Sequence, residues 1–385
     1  MKKLGDVCRT GAGGTPSKLN KEYYENGTIP WLMSGEIAQG DIRQSTQFIS
    51  ELGLKNSSAK VFPCNTVLVA MYGATAGQVG ILRMEAATNQ AVCGILPNAE
   101  FVPEFVYFFM LSQKEGLVSQ ATGNAQPNIS QEKIRNTRIP VPPLAEQQRI
   151  VAFLDEAFAG IATARANAEK NLQNARALFE SHINAVFTQR GEGWVEKRLG
   201  EICAITSNLV DPKDEAYLDQ LHVGAGNIQS KTGALLDLKS ARMEGLISGK
   251  FPFDPSMVLY SKIRPYLMKV ARPSFSGVCS ADMYPLTPVE AVVTRDYLFH
   301  LLLSKPFTDY AIEGSARAGM PKVNRDHLFE YRVWIPNLEA QQAIALELDQ
   351  LHVEAQRLES IYRRKIAALD EMKKSLLHEA FSIDR

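Results

Sequence analysis

The sequence predicts a mixed α/β protein built as an internal repeat, two small modules of strands and short helices that are each followed by one long helix. Three observations carry that reading. The stretch from Arg138 to Phe187 returns from Arg332 to Phe381 under a constant shift of 194 residues, which places Pro142 on Pro336, Leu144 on Leu338, Gln147-Gln148 on Gln341-Gln342, Asp155 on Asp349 and Phe187 on Phe381. Each copy opens with alternating apolar residues (Ile139 and Val141; Val333 and Ile335) and a proline. It then runs on without Gly or Pro apart from Gly160, the grammar of strand, stop and long helix. Ahead of each copy the same order of shorter elements recurs, from RLGEIC echoing LGDVC to GMPKVN echoing AQPNIS.

In chain order, LGDVC reads as a short lead, and GGTPS as a turn feeding an extended segment whose Trp31 and Leu32 enter a core. A phosphate-cradling loop is excluded there, because Pro16 stands where the third glycine belongs and no helix pattern follows. VLVAMYGATAGQVGI then reads as a strand, a glycine-rich bend and a second strand, and Phe105 to Ser112 as a short buried helix. In the second half FPFDPSMVLYSKIRPYLMKVA stands where that bend stood. Between Asp254 and Asp282 it carries Lys262, Arg264, Lys269 and Arg272 with no acid among them, interleaved with Tyr260 and Tyr266. Arg317, Lys322 and Arg325 add a second basic cluster around GMPKVN. Basic residues suit phosphates, and arginine can hold a guanine edge with two hydrogen bonds; a solvated charged hairpin would read the same way.

Along the long segments, apolar residues recur every third or fourth position from Ile150 to His182 and from Ile344 to Leu376. This is a coiled-coil seam. It includes Leu178 and Met372, and the polar Asn171 and Lys365 interrupt it at the same repeat position. At 1.5 Å per residue each helix would be about 65 Å long. One small module cannot cover that length, so the two helices are expected to pack on each other and act as a ruler.

Composition excludes several classes. Lys plus Arg and Asp plus Glu are both 42 of 385 residues, and neither half is basic: residues before Arg138 hold 12 basic and 11 acidic side chains, and Gly191 to Tyr331 hold 16 and 17. A protein that neutralises many phosphates alone is more basic than this. The five cysteines contain no C-x-x-C and read as reduced core residues of a cytoplasmic protein. No signal-peptide pattern or membrane-length apolar run occurs, and membrane roles are not expected. The six histidines do not cluster at ligand spacing, so no metal site is expected, and no H-E-x-x-H, Walker or G-x-S-x-G signature is present. The chain reads as a binding protein, with an enzyme acting on a small anionic substrate near Gly73 and Arg264 as the contrary reading.

GGTPS with the following IPWLMSGEI, the run PPLAEQQRIVAFLD and its echo IPNLEAQQAIALELD resemble the specificity subunit of type I restriction-modification systems, over nearly the whole chain. The second copy departs from the family pattern at Trp334 and at Glu339-Ala340. The resemblance implies two target-recognition domains (residues 1–137 and 191–331), each followed by a strand and spacer helix (residues 138–190 and 332–385), with the two helices antiparallel and the whole pseudo-twofold. Each domain would read one half of a bipartite double-stranded DNA target. The implied partners are two DNA adenine-methyltransferase subunits and motor-nuclease subunits. S-adenosylmethionine, ATP and magnesium would belong to those partners, with no cofactor on this chain, which would itself be non-catalytic. A methyltransferase or phage-defence complex lacking the nuclease is the alternative setting. Under this reading the residues expected to face DNA are Thr15, Ser34, Tyr72, Gly73, Thr75, Gln78, Asn89 and Asn128 in the first half. In the second they are Asn227, Lys262, Arg264, Tyr266, Lys269, Arg317 and Lys322.

Overall fold

The computed structural model describes residues 1–120, 128–315 and 320–382. It divides into two compact units, Met1–Ala168 with Arg364–Arg385 and Glu169–Arg363. The division falls inside both long helices, Leu144–Thr188 and Leu338–Phe381. Each unit therefore holds the start of one helix and the end of the other.

The first unit has a five-stranded sheet in the order Thr10–Ala12, Val92–Ile95, Val67–Ala70, Val79–Leu82, Asp41–Ile42, and a four-stranded sheet in the order Phe48–Ile49, Ile29–Leu32, Ala86–Thr88, Val61–Phe62. The second unit repeats the plan: Cys203–Ala204, Met283–Pro288, Val258–Ser261, Val270–Ala271 in one sheet and Lys239–Ser240, Leu221–Val223, Gly277–Ser280, Lys250–Phe253 in the other. Among the described residues it lacks a counterpart of Asp41–Ile42 in the sheet. Val67–Ala70, Val79–Leu82 and Val258–Ser261 are buried at every position, which is why they read as unbroken apolar runs and not as alternation. A short antiparallel ribbon closes each module, Lys2–Lys3 with Arg138–Ile139 and Val195–Arg198 with Arg332–Ile335.

The paired glutamines explain how each long helix is attached. Gln147 is fully buried; its Oε1 accepts from the Val102 amide at 2.9 Å, and its Nε2 donates to the Glu100 and Pro142 carbonyls at 2.9 Å each. Gln341 repeats the arrangement with the Thr294 amide and the Val292 and Pro336 carbonyls, all at 2.9 Å. Val102 and Thr294 are the residues that open the buried helices Pro103–Ser112 and Arg295–Leu303. One side chain thus ties the start of each long helix to the start of its module's core helix. The far ends are held by aromatics: Phe381 packs on Phe105 and Phe109 at 5.2 and 5.6 Å in the first unit, and Phe187 on Tyr297 at 5.2 Å in the second.

Within each unit the two helical segments run antiparallel. In the first, Ile150 and Leu154 share a core with Leu377 and Phe381, and Arg165 pairs with Asp370. In the second, Arg176 pairs with Glu359 at 3.1 Å, Phe179 lies on His352 at 4.8 Å, and His182 pairs with Glu347 at 3.0 Å. The seam differs from the sequence expectation beyond Ala168. Asn171, Leu178, Lys365 and Met372 are all exposed, Phe179 and Leu377 are buried, and Leu172 and Ile366 are half-buried. An α-helix drifts about 20° per heptad against a 3.5-residue repeat, so after three heptads the contact row passes to the next residue. The two polar residues are therefore solvated beside the seam and do not interrupt it. The cysteines need one correction too: Cys8, Cys93, Cys203 and Cys279 are buried thiols, but Cys64 is exposed in the turn before Val67–Ala70. Among the described residues no helix is long and apolar enough to cross a membrane.

Candidate nucleic-acid interface

The two bends are one backbone used twice. Strands Val67–Ala70 and Val79–Leu82 are joined through a 3-10 turn at Gly73–Thr75, and Val258–Ser261 and Val270–Ala271 through one at Pro265–Leu267. The hydrogen bonds correspond under a shift of 191 within the bend and of 194 in the segment behind it. Ala70 N donates to Gln78 O at 2.9 Å and Ser261 N to Lys269 O at 3.0 Å; Ile129 N donates to Met71 O and Val323 N to Lys262 O, both at 2.8 Å. Each bend is also bridged by the segment behind it, Tyr72 with Asn128 and Ile263 with Lys322.

Two backbone positions in each bend are left-handed. In the first they are Gly73 and Gly77, at φ +67° and +79°; in the second they are Arg264 and Met268, at φ +50° and +49°. Side chains with a Cβ enter that region at a cost of about 1–2 kcal/mol, and Arg264 also precedes Pro265, which disfavours helical backbone before it. Met268 has a packing reason, since its half-buried side chain lies against the unit's core. Arg264 is exposed, and its guanidinium makes no hydrogen bond, ion pair or ring contact to the described residues.

The other second-bend residues divide by what they already hold. Lys262 has only 13% of its side chain exposed; its ammonium donates to Ala281 O, sits 4.0 Å from Asp282 and lies 5.2 Å over the Tyr284 ring. Burial, with repulsion from Lys322, pushes its pKa down. Lys269 donates to Ala225 O. Lys322 is 3.6 Å from Asp282 and partly exposed, and Tyr266 is 52% exposed at the tip of the turn. Arg272 is committed to a half-buried network and not to a free surface: it pairs with Asp296 at 2.7 Å and with Asp349, and lies 4.5 Å over Phe299. Tyr260 is likewise core, 2% exposed against Phe307. Asn227 spends its amide internally, accepting from Gly224 N at 2.9 Å and donating to Leu236 O and Asp237 O. Arg317 lies outside the described residues.

In the first unit backbone bonds gather the named residues along one edge. Gly14 N donates to Thr88 O, Asn89 N to Leu32 O, Met71 N to Ala91 O and Ile129 N to Met71 O, at 2.7–3.0 Å. This brings Thr15, Ser34, Tyr72, Gly73, Thr75 and Asn128 together. Thr15 donates to Gln90, Thr75 to Tyr72 O at 3.1 Å, and Gln78 is half-buried below the turn. Asn89 is buried, its Oδ1 accepting from Ala91 N at 3.2 Å and its Nδ2 facing Met33 Sδ at 3.7 Å, so it shapes the edge from beneath. No charged residue occurs between Lys60 and Arg83. The sequence alone did not show the backbone state of Arg264; the signal that could have found it is the glycine in the matching bend, visible only once the register of 191 is known.

Each stiff hairpin tip, neutral in the first unit and cationic in the second, can by itself place side chains against a groove. A cleft of about 560 Å³ beside Tyr266 and Met268 also contains Lys231 and Arg176, but these cations are paired, Lys231 with Glu180 at 2.6 Å and Arg176 with Glu359. Among the described residues no three His, Cys, Asp or Glu side chains come together as a metal site.

The type I restriction modification DNA specificity domain matches twice, over residues 1–172 and 191–363. The specificity subunit of the Escherichia coli restriction enzyme EcoDI is 27% identical over 72% of this chain and 69% of its own length. That of EcoprrI, also from Escherichia coli, is 24% identical over 94% and 90%. The fold is shared with a chain from a type I R-M system studied for complex assembly and conformational transition (TM-score 0.77, 20% identity, 98% of this chain and 96% of that one). It is shared too with the HsdS subunit of Thermoanaerobacter tengcongensis (TM-score 0.64, 20% identity, 100% and 96%). With the specificity domain carried once in each repeat, and one fold spanning both, this chain belongs to the DNA specificity subunits of type I restriction-modification systems.

Proposed function

We propose that this chain is the non-catalytic reading subunit of a cytoplasmic type I complex, in which each unit recognises one half of a bipartite double-stranded DNA target. The observation that carries this reading is the doubled bend, which shares its strand pairing, its main cross-bend bond and its two left-handed positions but differs in outward side chains. The first half-site falls to Thr15, Ser34, Tyr72, Gly73, Thr75 and Asn128, with Gln78 and Asn89 supporting them. The second falls to Arg264, Tyr266 and Lys322, with Lys262, Lys269 and Asn227 holding the loops. Two adenine-methyltransferase subunits supply S-adenosylmethionine chemistry, and motor-nuclease subunits supply ATP- and magnesium-dependent cleavage. The number of unread base pairs between the half-sites follows from the length of the long helices.

The balanced charge of the chain supports a shared electrostatic role, since counterion release needs an excess of positive charge. The test is methylation-site mapping of the full complex with Tyr72→Ala or Tyr266→Ala in this chain. Each variant is expected to relax preference in one half-site and leave the other intact. Loss of preference in both half-sites from either substitution would overturn the assignment of one half-site per unit.

A further inference from the structure

Resting on the proposed role in reading DNA, we infer that Arg264 reads a guanine, so that the half-site recognised by the second unit contains a G·C pair contacted in the major groove. The argument begins with strain. Arg264 occupies left-handed backbone immediately before Pro265, at a place where the other bend has Gly73. The second left-handed residue, Met268, has a core contact to hold it there. The Arg264 side chain has no hydrogen bond, ion pair or ring contact with the described residues, so none of those residues rewards an arginine at this position through such a bond. A non-glycine residue kept in such a conformation without a packing reason points to use elsewhere.

The backbone that carries it is fixed. Arg264 N donates to Pro321 O at 2.9 Å, Leu267 N donates to Arg264 O at 2.9 Å, and the buried Pro265 ring follows. The guanidinium therefore projects from a stiff turn, and a planar fork on a stiff base suits two parallel hydrogen bonds to guanine O6 and N7 better than it suits a phosphate that any mobile lysine can reach. Its neighbours leave that task to it. Lys262 and Lys269 already donate to the Ala281 and Ala225 carbonyls, and Lys322 faces Asp282. Arg325 likewise makes no hydrogen bond or ion pair with the described residues, feeling only the repulsion of Lys262, but it sits on ordinary helical backbone at the start of Arg325–Phe329. It serves as the phosphate-type comparison.

The experiment uses the full chain assembled with its methyltransferase subunits, with competition binding against duplexes in which each base pair of both half-sites is changed in turn. Arg264→Gly is the main variant because glycine is the matching residue of the first bend and relieves the strained backbone, so misfolding is not an explanation for its effect. It should lose roughly 5- to 150-fold discrimination at one G·C position of one half-site, with the other half-site unchanged. Arg264→Lys should keep overall affinity and salt dependence while losing most of that preference, and Arg325→Ala should weaken all sequences alike. Uniform weakening by Arg264→Gly, full retention of every preference, or a second half-site without a G·C pair would overturn the inference. A wild-type complex without any sequence preference would instead overturn the proposed function on which it rests.

Discussion

The bends at Gly73–Thr75 and Pro265–Leu267 have equivalent strands on either side, an equivalent cross-bend hydrogen bond (Ala70 N to Gln78 O, Ser261 N to Lys269 O) and the same two left-handed positions, yet share almost no outward side chain. The first meets its backbone requirement with glycine and presents small neutral groups. The second meets it with arginine and methionine, accepting strain, and surrounds the tip with cations. What the difference teaches is that the bend's shape comes from buried strand pairing and carbonyl–amide bonds, which leaves the tip free to vary in chemistry. Shape and reading are separable here because different atoms carry them.

The largest effect that would test this separation lies in the shared scaffold. Gln147→Ala and Gln341→Ala should each destabilise the full chain by about 3 kcal/mol, because each removes a fully buried side chain that satisfies one amide and two carbonyls. Gln148→Ala and Gln342→Ala, at exposed neighbours, should stay within about 0.5 kcal/mol. Urea unfolding of the four variants provides the measurement. Effects that differ widely between Gln147 and Gln341 would break the claim of one scaffold used twice.

A smaller effect should show that the scaffold is not symmetrical in charge. Asp155 and Asp349 are equivalent by sequence, but their surroundings oppose each other. Burial, with the Glu104 carboxylate nearby, pushes the Asp155 carboxyl up. Burial would do the same to Asp349, but hydrogen bonds from His300 at 2.8 Å and from Arg272 outweigh it and hold that carboxyl at about 2. A depressed folded pKa means stability that is complete above the ordinary carboxylate value near 4 and lost as pH falls towards about 2. With allowance for a side chain that is 34% exposed, this is about 1–2 kcal/mol. A raised folded pKa has the opposite sign: its contribution is present at low pH and lost as pH rises through the folded value. Asp349→Asn should therefore destabilise at pH 7 and lose that effect near pH 2, whereas Asp155→Asn should be neutral or stabilising at pH 7. Parallel pH–stability curves for the two variants would contradict this.

Much of this architecture was legible in the sequence because repetition doubles every signal. The long helices, the ribbon strands, the buried Phe105–Ser112 segment and the place of both bends follow from apolar period and from proline and glycine positions. What the sequence could not show were choices made by tertiary contact. Arg272 and Lys262 are both basic residues in one acid-free stretch, yet one ends in a half-buried ion network and the other under a carbonyl, because strand register decides which way each points. The drift that exposes Asn171 and Lys365 accumulates slowly along a helix and is invisible to a fixed spacing. The shift of 191 in the bends, against 194 in the helices, hid the pairing of Arg264 with Gly73 until hydrogen bonds fixed it.

The smallest expected effect probes that pairing directly. Among the described residues, its chain neighbours apart, no atom lies within 4 Å of the place a Cβ on Gly73 would occupy, so Gly73→Ala acts on backbone preference and not on packing against those residues. The left-handed conformation costs the new side chain about 1–2 kcal/mol, but alanine also narrows the unfolded ensemble and returns about 0.4–1 kcal/mol. The net is a destabilisation of about 0.5–1 kcal/mol. Arg264→Gly runs the same balance backwards and should stabilise by a similar amount, since no hydrogen bond, ion pair or ring contact to the described residues is lost with the guanidinium. Urea midpoints for the two variants and for the double variant give the comparison, and because the sites lie in separate units the double should be near neutral by addition. A loss of stability in Arg264→Gly would mean that the arginine supports the fold and that its strained backbone needs no ligand to explain it.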